Sequence, residues 1–275
     1  MGEVDTSKGH GVEENTGAEK APELRKLSLR AKKEKLRLLY LNSNKRIAEI
    51  GVMCIYAVFW PYMMYTYSVS HISSMDDIIL SVACFIVGMF IADFISGVLH
   101  WSFDTWGTVE APLFGQFIRS FREHHLDATE MCNHDFVETN SDSLIGSLVL
   151  VPPSIYLAHN FTPYSFAIST TFCWVSLLTG FSNEIHKWSH QRKPNTIVKV
   201  LQDLHIILPA KHHKIHHTSP HDVYYCMTNG WCNPILTKVG FWRKFEKVIT
   251  FFTGAVPRED DFSWLNINPN DIKKE

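Results

Sequence analysis

Residues 78–101 read IILSVACFIVGMFIADFISGVLHW, and 18 of these 24 positions are apolar. The exceptions are small residues plus Asp93 and His100. A helix needs about 20 consecutive apolar residues to cross a bilayer core, so this stretch is long enough to span one. Upstream, residues 47–68 hold 17 apolar residues of 22, interrupted by Glu49 and Pro61. Two further runs follow. Residues 143–158 are short and carry Pro152-Pro153, and residues 164–185 are Ser/Thr-rich with no charge until Glu184. These two fit membrane spans or buried core helices of a soluble domain. Tilt or a re-entrant hairpin would make up the shortfall of the third run. The expectation is an all-α integral membrane protein with about four transmembrane helices.

The averages hide this pattern. The chain has 275 residues, 26 Lys+Arg against 28 Asp+Glu, a formal charge of −2 and a mean hydropathy of −0.06. That charge balance argues against a nucleic-acid binder, which carries a basic excess. The near-zero hydropathy mixes apolar runs with polar ends. Residues 1–22 are too polar to bury a core and are expected to be disordered, and the stretch after Met1 lacks the features of a signal peptide. Ten Lys and Arg lie between Lys20 and Arg46. By the positive-inside rule this block places the N-terminus in the cytosol. The loop 69–77 contains Asp76 and Asp77 and no Lys or Arg, as expected on the far side. Arg119 and Arg122 return the loop 102–142 to the cytosol, and Lys187, Arg192 and Lys193 follow the fourth run on the same side. The expected organisation is a basic cytosolic segment 1–46, a membrane domain 47–262 and a C-terminal tail 263–275, with both termini cytosolic.

Histidine is the informative count. There are 15, more than the 14 Gly, and histidine is the commonest metal ligand. His71 and His159 fall on the far side of the topology and His10 in the tail. The other twelve (100, 124, 125, 134, 186, 190, 205, 212, 213, 216, 217, 221) fall at cytosolic span ends or in cytosolic segments. Hydropathy and Lys/Arg alone drew that topology, so the sorting is a partly independent sign of a cytosolic, histidine-rich helical cap. The six Cys form no CxxC pair and three lie in apolar runs, which argues against a disulfide framework or a Cys-rich zinc site.

Spacing carries the chemistry. His186 and His190 lie four residues apart, on one face of a helix, with Asn183 on the same face. His212-His213-Lys-Ile-His216-His217 packs two such pairs into six residues, presenting two adjacent histidine stripes that suit two metals. His205 precedes it, with Pro209 interrupting a continuous helix, and His221 follows Pro220 in a turn. His124-His125 and His134 occupy the second cytosolic loop. Asp93, His100 and Asp104 share a helical stripe. Asp93 either orients a ligating histidine or makes an interhelical hydrogen bond. A mononuclear zinc site needs three or four protein ligands. Twelve histidines on one face exceed that, and a binuclear site is the economical account. Nitrogen and oxygen donors suit iron, zinc, copper or nickel, so the metal stays open at this point. There is no HExxH, no GxSxG and no Gly-rich phosphate loop, so electrons for a redox reaction would come from a partner. Residues 241–252 mix aromatics with Arg and Lys, as an interfacial helix or a packing helix would.

The runs HWSFDTWGTVE (100–110), FREHH (121–125), NHDFVETN (133–140), NEIHKWSH (183–190), LQDLHIILPAKHHKIHH (201–217) and GFWRKFE (240–246) resemble the Kua/CarF-type lipid desaturases, the family of the plasmanylethanolamine desaturases. The resemblance covers about residues 45–262. It implies a multi-pass oxidoreductase of the endoplasmic reticulum membrane that forms the 1′,2′ vinyl-ether bond in the sn-1 alkyl chain of ether phospholipids, the plasmalogen-forming step. It further implies O2 and cytochrome b5 as partners and two irons as cofactor. His186, His190, His213, His216 and His217 correspond to the family's histidine boxes, and His100, His124 and His125 match its other histidines. Asp93, Asp104, His134, Asn183, His205, His212 and His221 stand as further ligands or as groups that orient them. A histidine-box lipid hydroxylase is the nearest rival, and a metal-binding membrane transporter a more distant one, because the histidines crowd span ends rather than mid-span.

Overall fold

The structure, a computed structural model, describes residue 38, residue 41 and residues 43–112, 114–159 and 163–258. The segment 1–22, most of the basic block, His10 and the tail 263–275 lie outside the described residues. The chain divides into two compact units, Met1–Ala48 and Glu49–Glu275. In the first, the Arg46 amide donates to the Ser43 hydroxyl at 3.2 Å, closing the start of α1 (Asn44–Tyr67). All regular structure among the described residues is helical.

In the second unit, α2 (Met75–Thr105) contains the apolar stretch 78–101. Ser74 caps it: its hydroxyl accepts from the Asp77 amide, and the Asp77 carboxylate accepts from the Ser74 amide, which satisfies two of the orphan donors of a helix start. At 1.5 Å per residue, its 31 residues reach about 46 Å. A hydrocarbon core is about 30 Å thick, so α2 is long enough to cross one with turns to spare. Only 17% and 28% of the apolar windows in α1 and α2 are buried in the protein. Their remaining apolar faces require lipid rather than water.

Two more layers complete the bundle. Helices α4 (Phe136–Leu148) and α5 (Val151–His159) lead into α6 (Pro163–Gly180). Ser143 and Ser147 of α4 meet Gly180 and Ser176 of α6, and Ile155 of α5 packs with Cys173 and Met63. The α4–α5 pair therefore runs antiparallel to α6. Helix α1 does the same, with Trp60 donating to the Cys173 carbonyl at 2.9 Å and Ser68 bonded to Thr170 at 2.9 Å. Helix α2 crosses α6 where Gly88 meets Trp174. A Cβ at residue 88 would sit 2.9 Å from the Trp174 Cβ.

Two helices, α1 and α2, are long and apolar enough to cross a membrane. A third span exists if α6 and α7 (Ser182–His190), bent by 41° at Phe181, act as one. This differs from the four expected spans. The run 143–158 is divided between helices of 13 and 9 residues, and neither alone reaches about 20 residues. Pro152 and Pro153 lie in the first turn of α5, where a missing amide costs least.

The remaining helices form a cap: α3 (Gly115–Leu126), α8 (Thr196–Asp203), α9 (Ala210–His216), α10 (Cys232–Lys238) and α11 (Phe241–Thr253). Pro209 is the N-cap of α9, so the proline that interrupts the helical pattern marks the start of the histidine-rich helix. One apolar core ties α7, α8 and the loop before α9 through Ile185, Val198, Ile207, Leu208 and Met227. Another ties α2 to α11 through Trp101, Tyr225, Cys226 and Trp242.

Candidate metal centre

The last turns of α2 bring His100 and Asp104 to the cap, α3 brings His124 and His125, α7 brings His186 and His190, and α9 brings His213 and His216, with His217 next in sequence. These nine side chains form two groups. His124, His186, His190, His213 and His217 make one, and His100, Asp104, His125 and His216 the other. Within each group one donor atom per residue lies within 4.8 Å of all the rest.

In the first group imidazole nitrogens crowd at short range. His124 Nε2 lies 3.1 Å from His186 Nε2 and 3.0 Å from His190 Nε2. His213 Nε2 lies 2.8 Å from His186 Nε2 and 3.0 Å from His217 Nε2. Hydrogen bonds alone do not satisfy such a hub, because each contact needs one protonated and one bare nitrogen and every ring has only one Nε2. Burial, reinforced by the other imidazoles, holds His124, His213 and His217 below the ordinary histidine value, which favours the neutral rings that metal ligation requires. Metal–nitrogen bonds of about 2.0–2.1 Å put ligands at right angles about 2.9 Å apart. The observed spacing is that of ligands around one ion.

The second group contains a carboxylate. Asp104 Oδ2 lies 3.2 Å from His100 Nε2, 3.3 Å from His125 Nε2 and 3.5 Å from His216 Nε2. These distances are those of ion pairs, yet His100 Nε2 and both Asp104 oxygens are buried without a hydrogen bond of acceptable geometry. The alignment decides between the two. Buried polar atoms are normally paired. His125 Nε2 and His216 Nε2 lie 3.1 Å apart and can share one hydrogen bond, while His100 Nε2 and the Asp104 carboxylate beside them have no aligned partner, as donors facing a shared cation would. The rings are held from behind. His100 Nδ1 is 3.1 Å from the Tyr225 carbonyl and His216 Nδ1 is 2.9 Å from the Val223 carbonyl. A carbonyl only accepts, so each Nδ1 carries the proton and each Nε2 presents a lone pair to the centre.

Asp93 does not touch a histidine. Fully buried, its Oδ1 accepts from the amides of Thr228, Asn229 and Gly230 at 3.2, 2.9 and 2.7 Å, and its Oδ2 accepts from the Cys232 amide at 2.9 Å. It pins the segment whose preceding residues supply both backing carbonyls, so it acts on the site through the backbone. That role lies between the two readings open from sequence.

The other candidates lie around the two groups rather than in them. His221 stacks on His125 with centroids 4.7 Å apart, and its Nδ1 is 3.1 Å from the His216 carbonyl. Burial pushes its pKa down to about 4. His212 lies against His205 and Tyr224 at 5.1 and 4.8 Å. His134 lies 3.9 Å from Glu138, and its carbonyl accepts from Lys187 at 2.7 Å. Asn183 lies in the first turn of α7, three residues before His186. His71 is at the opposite end of α2, beside Ser70 and Phe166. Sequence reasoning missed the Tyr225 and Val223 carbonyls and the buried Arg122, which donates to the Gly107 carbonyl at 2.7 Å. Backbone acceptors leave no trace in side-chain pattern, and only the FREHH run offered a hint of Arg122.

Comparisons with known proteins identify the family. Residues 89–260 match the lipid desaturase domain family, a range that contains all nine donors. The chain is 46% identical to mouse plasmanylethanolamine desaturase 1 over 188 residues, 65% of this chain and 68% of that protein. It is 42% identical to the plasmanylethanolamine desaturase of Myxococcus xanthus over 186 residues, 66% of this chain and 65% of that protein. It is 29% identical to chloroplastic fatty acid desaturase 4 of Arabidopsis thaliana over 189 residues, 68% of this chain and 56% of that protein. No solved structure matches. With a histidine-rich centre at the end of membrane-length helices and this extent of similarity, the chain is an enzyme that belongs to the lipid desaturase family.

Proposed function

We propose that the protein introduces the 1′,2′ double bond into the sn-1 alkyl chain of ether phospholipids, using O2 and electrons from cytochrome b5. The observation that carries the reading is the convergence of eight histidines and Asp104 in two adjacent groups at the end of α2. His100, Asp104, His125 and His216 would hold one iron, and His124, His186, His190, His213 and His217 the other. Bound there, the two irons would supply with O2 the strong oxidant that removal of hydrogen from an unactivated alkyl chain requires and side chains lack.

The chain's own residues do the rest. The Tyr225 and Val223 carbonyls hold the rings of His100 and His216 in one tautomer. Asp104 offers negative charge where a cation would sit, at one end of an otherwise neutral donor set. Phe121 lies against the fully buried His100, and Phe103 and Phe117 pack behind it; such an apolar surround would keep water from the centre and limit side reactions. A lipid's ether linkage lies at head-group depth, and the site lies at the end of α2 in keeping with that depth.

We further propose residence in the endoplasmic reticulum membrane with four passes and both termini cytosolic, the membrane domain covering 47–262. The third pass would be α4 followed by α5, which together descend along α6. The test is expression of the chain in cells lacking plasmalogens, with lipid analysis. Vinyl-ether lipids are expected. A hydroxylated ether lipid without vinyl ether would favour a hydroxylase instead. Metal analysis of the purified protein is expected to give about two irons per chain, the number two groups of donors call for.

A further inference from the structure

Between α2 and α6 lies a cleft of about 450 Å³ that shares no residue with either donor group. It runs from Leu80 and Ala83 to Ile95 on α2, and from Ala167 to Val175 on α6, and no charged side chain lines it. Ala83 and Ala167 keep it open, because larger side chains at these positions would fill it. Leu80 to Ile95 is about 22 Å along the helix.

Both walls lead to the centre. Helix α2 goes on from Ile95 to His100 and Asp104, and α6 turns into α7 with His186 and His190. On α2 the apolar row continues at four-residue intervals through Leu99, half exposed, to Phe103. The Phe103 ring lies 5.2 Å from Phe121, and Phe121 lies 5.2 Å from His100. The apolar face of α2 that lines the cleft therefore continues, by helical register, towards the aromatic rings packed beside His100.

We infer that this cleft holds the alkyl tail of the ether phospholipid, and that its remote end at Leu80, Ala83 and Ala167 sets the accepted chain length. The inference rests on the desaturase reading above. The reacting carbons of such a lipid adjoin the ether oxygen at head-group depth, and the rest of the tail descends into the bilayer. A tail laid from Phe103 down to Leu80 keeps its ether end at His100 and its methyl end in the hydrocarbon. Lipid tails are as apolar as the cleft wall, so a tail gains little by transfer. Selection comes from the length of the cleft and from the bulk of the side chains at its remote end, Leu80, Ala83 and Ala167.

Two measurements on the full chain in membranes test this. The first uses Ala83→Phe and Ala167→Phe, assayed with a long-chain and a short-chain alkyl ether phospholipid. The ratio of long-chain to short-chain kcat/KM is expected to fall at least about tenfold, since a misfit of one methylene in an apolar pocket is worth about 10-fold or more. An unchanged ratio, or equal loss on both substrates with metal retained, overturns the assignment. The second measurement is independent of turnover. An alkyl ether phospholipid with a diazirine near its tail end is photolysed in the membrane and the labelled peptides mapped. Labels between Leu80 and Ile95 or between Ala167 and Val175, displaced by unlabelled ether lipid but not by diacyl lipid, support the inference. Labels elsewhere, or displacement by any lipid alike, overturn it. If the unaltered chain makes no vinyl ether while the label still maps to the cleft, the proposed reaction fails and the binding assignment stands.

Discussion

The two donor groups are neighbours of different construction. The first is five imidazoles from α3, α7 and α9–His217, each held by the others and by burial. The second draws His100 and Asp104 from α2, includes the one carboxylate among the nine donors, and is braced by two carbonyls of the segment that Asp93 anchors. A cation in the first group would find only neutral donors. One in the second would find a charge to balance it, and an uncompensated charge in a dry site is costly. Two ions here would therefore be chemically inequivalent, and the second site depends on residues well outside its own donors.

The largest effect is expected where that comparison would be broken outright. His186→Ala removes the imidazole whose Nε2 contacts those of His124, His190 and His213, and vinyl-ether formation should fall at least about 100-fold with loss of bound iron, beyond the range seen for outer partners of ligands. Near-normal activity and iron would show that the five imidazoles are not a metal site. Asp104→Asn keeps the shape and removes the charge, so the expected result is an activity loss of about 100-fold with iron falling towards one per chain. Equal loss of both ions would erase the proposed inequivalence. Asp93→Asn touches no donor. It turns one acceptor facing the Cys232 amide into a donor, which should weaken metal binding about 10–100-fold and lower stability by about 1–3 kcal/mol. Metal titration alongside thermal unfolding separates the two effects, and unchanged metal affinity in a less stable protein would reduce Asp93 to a structural anchor. The smallest effect belongs to His71→Ala at the far end of α2, where activity should stay within about twofold, as for surface substitutions generally. A large loss there would contradict the separation of the two ends.

Much of the fold was legible because a bilayer imposes length on apolar runs. The stretches 47–68 and 78–101 read as helices from hydropathy alone, and α1 and α2 contain nearly all of them. The run 143–158 was less legible, since hydropathy carries through it, while Pro152 and Pro153 end α4 and restart the chain as α5. At the site, four-residue spacing put His186 with His190 and His213 with His217, and the structure keeps both pairs together. Spacing also paired His212 with His216, and there it failed. Adjacent positions on a helix point about 100° apart, so His213 turns into the centre while His212 turns towards His205 and Tyr224.

Local composition and helical period were thus enough to indicate that the chain is helical, that it contains membrane-length segments, and which histidines and carboxylates were candidate donors. Packing alone settled how the donors divide into two groups, that Asp104 joins one of them, and that Asp93 serves the backbone instead. Those outcomes depend on which helices meet and at what rotation. Contacts between residues more than a hundred positions apart set that packing, as between Asp93 and the 228–232 segment, and no local period records it.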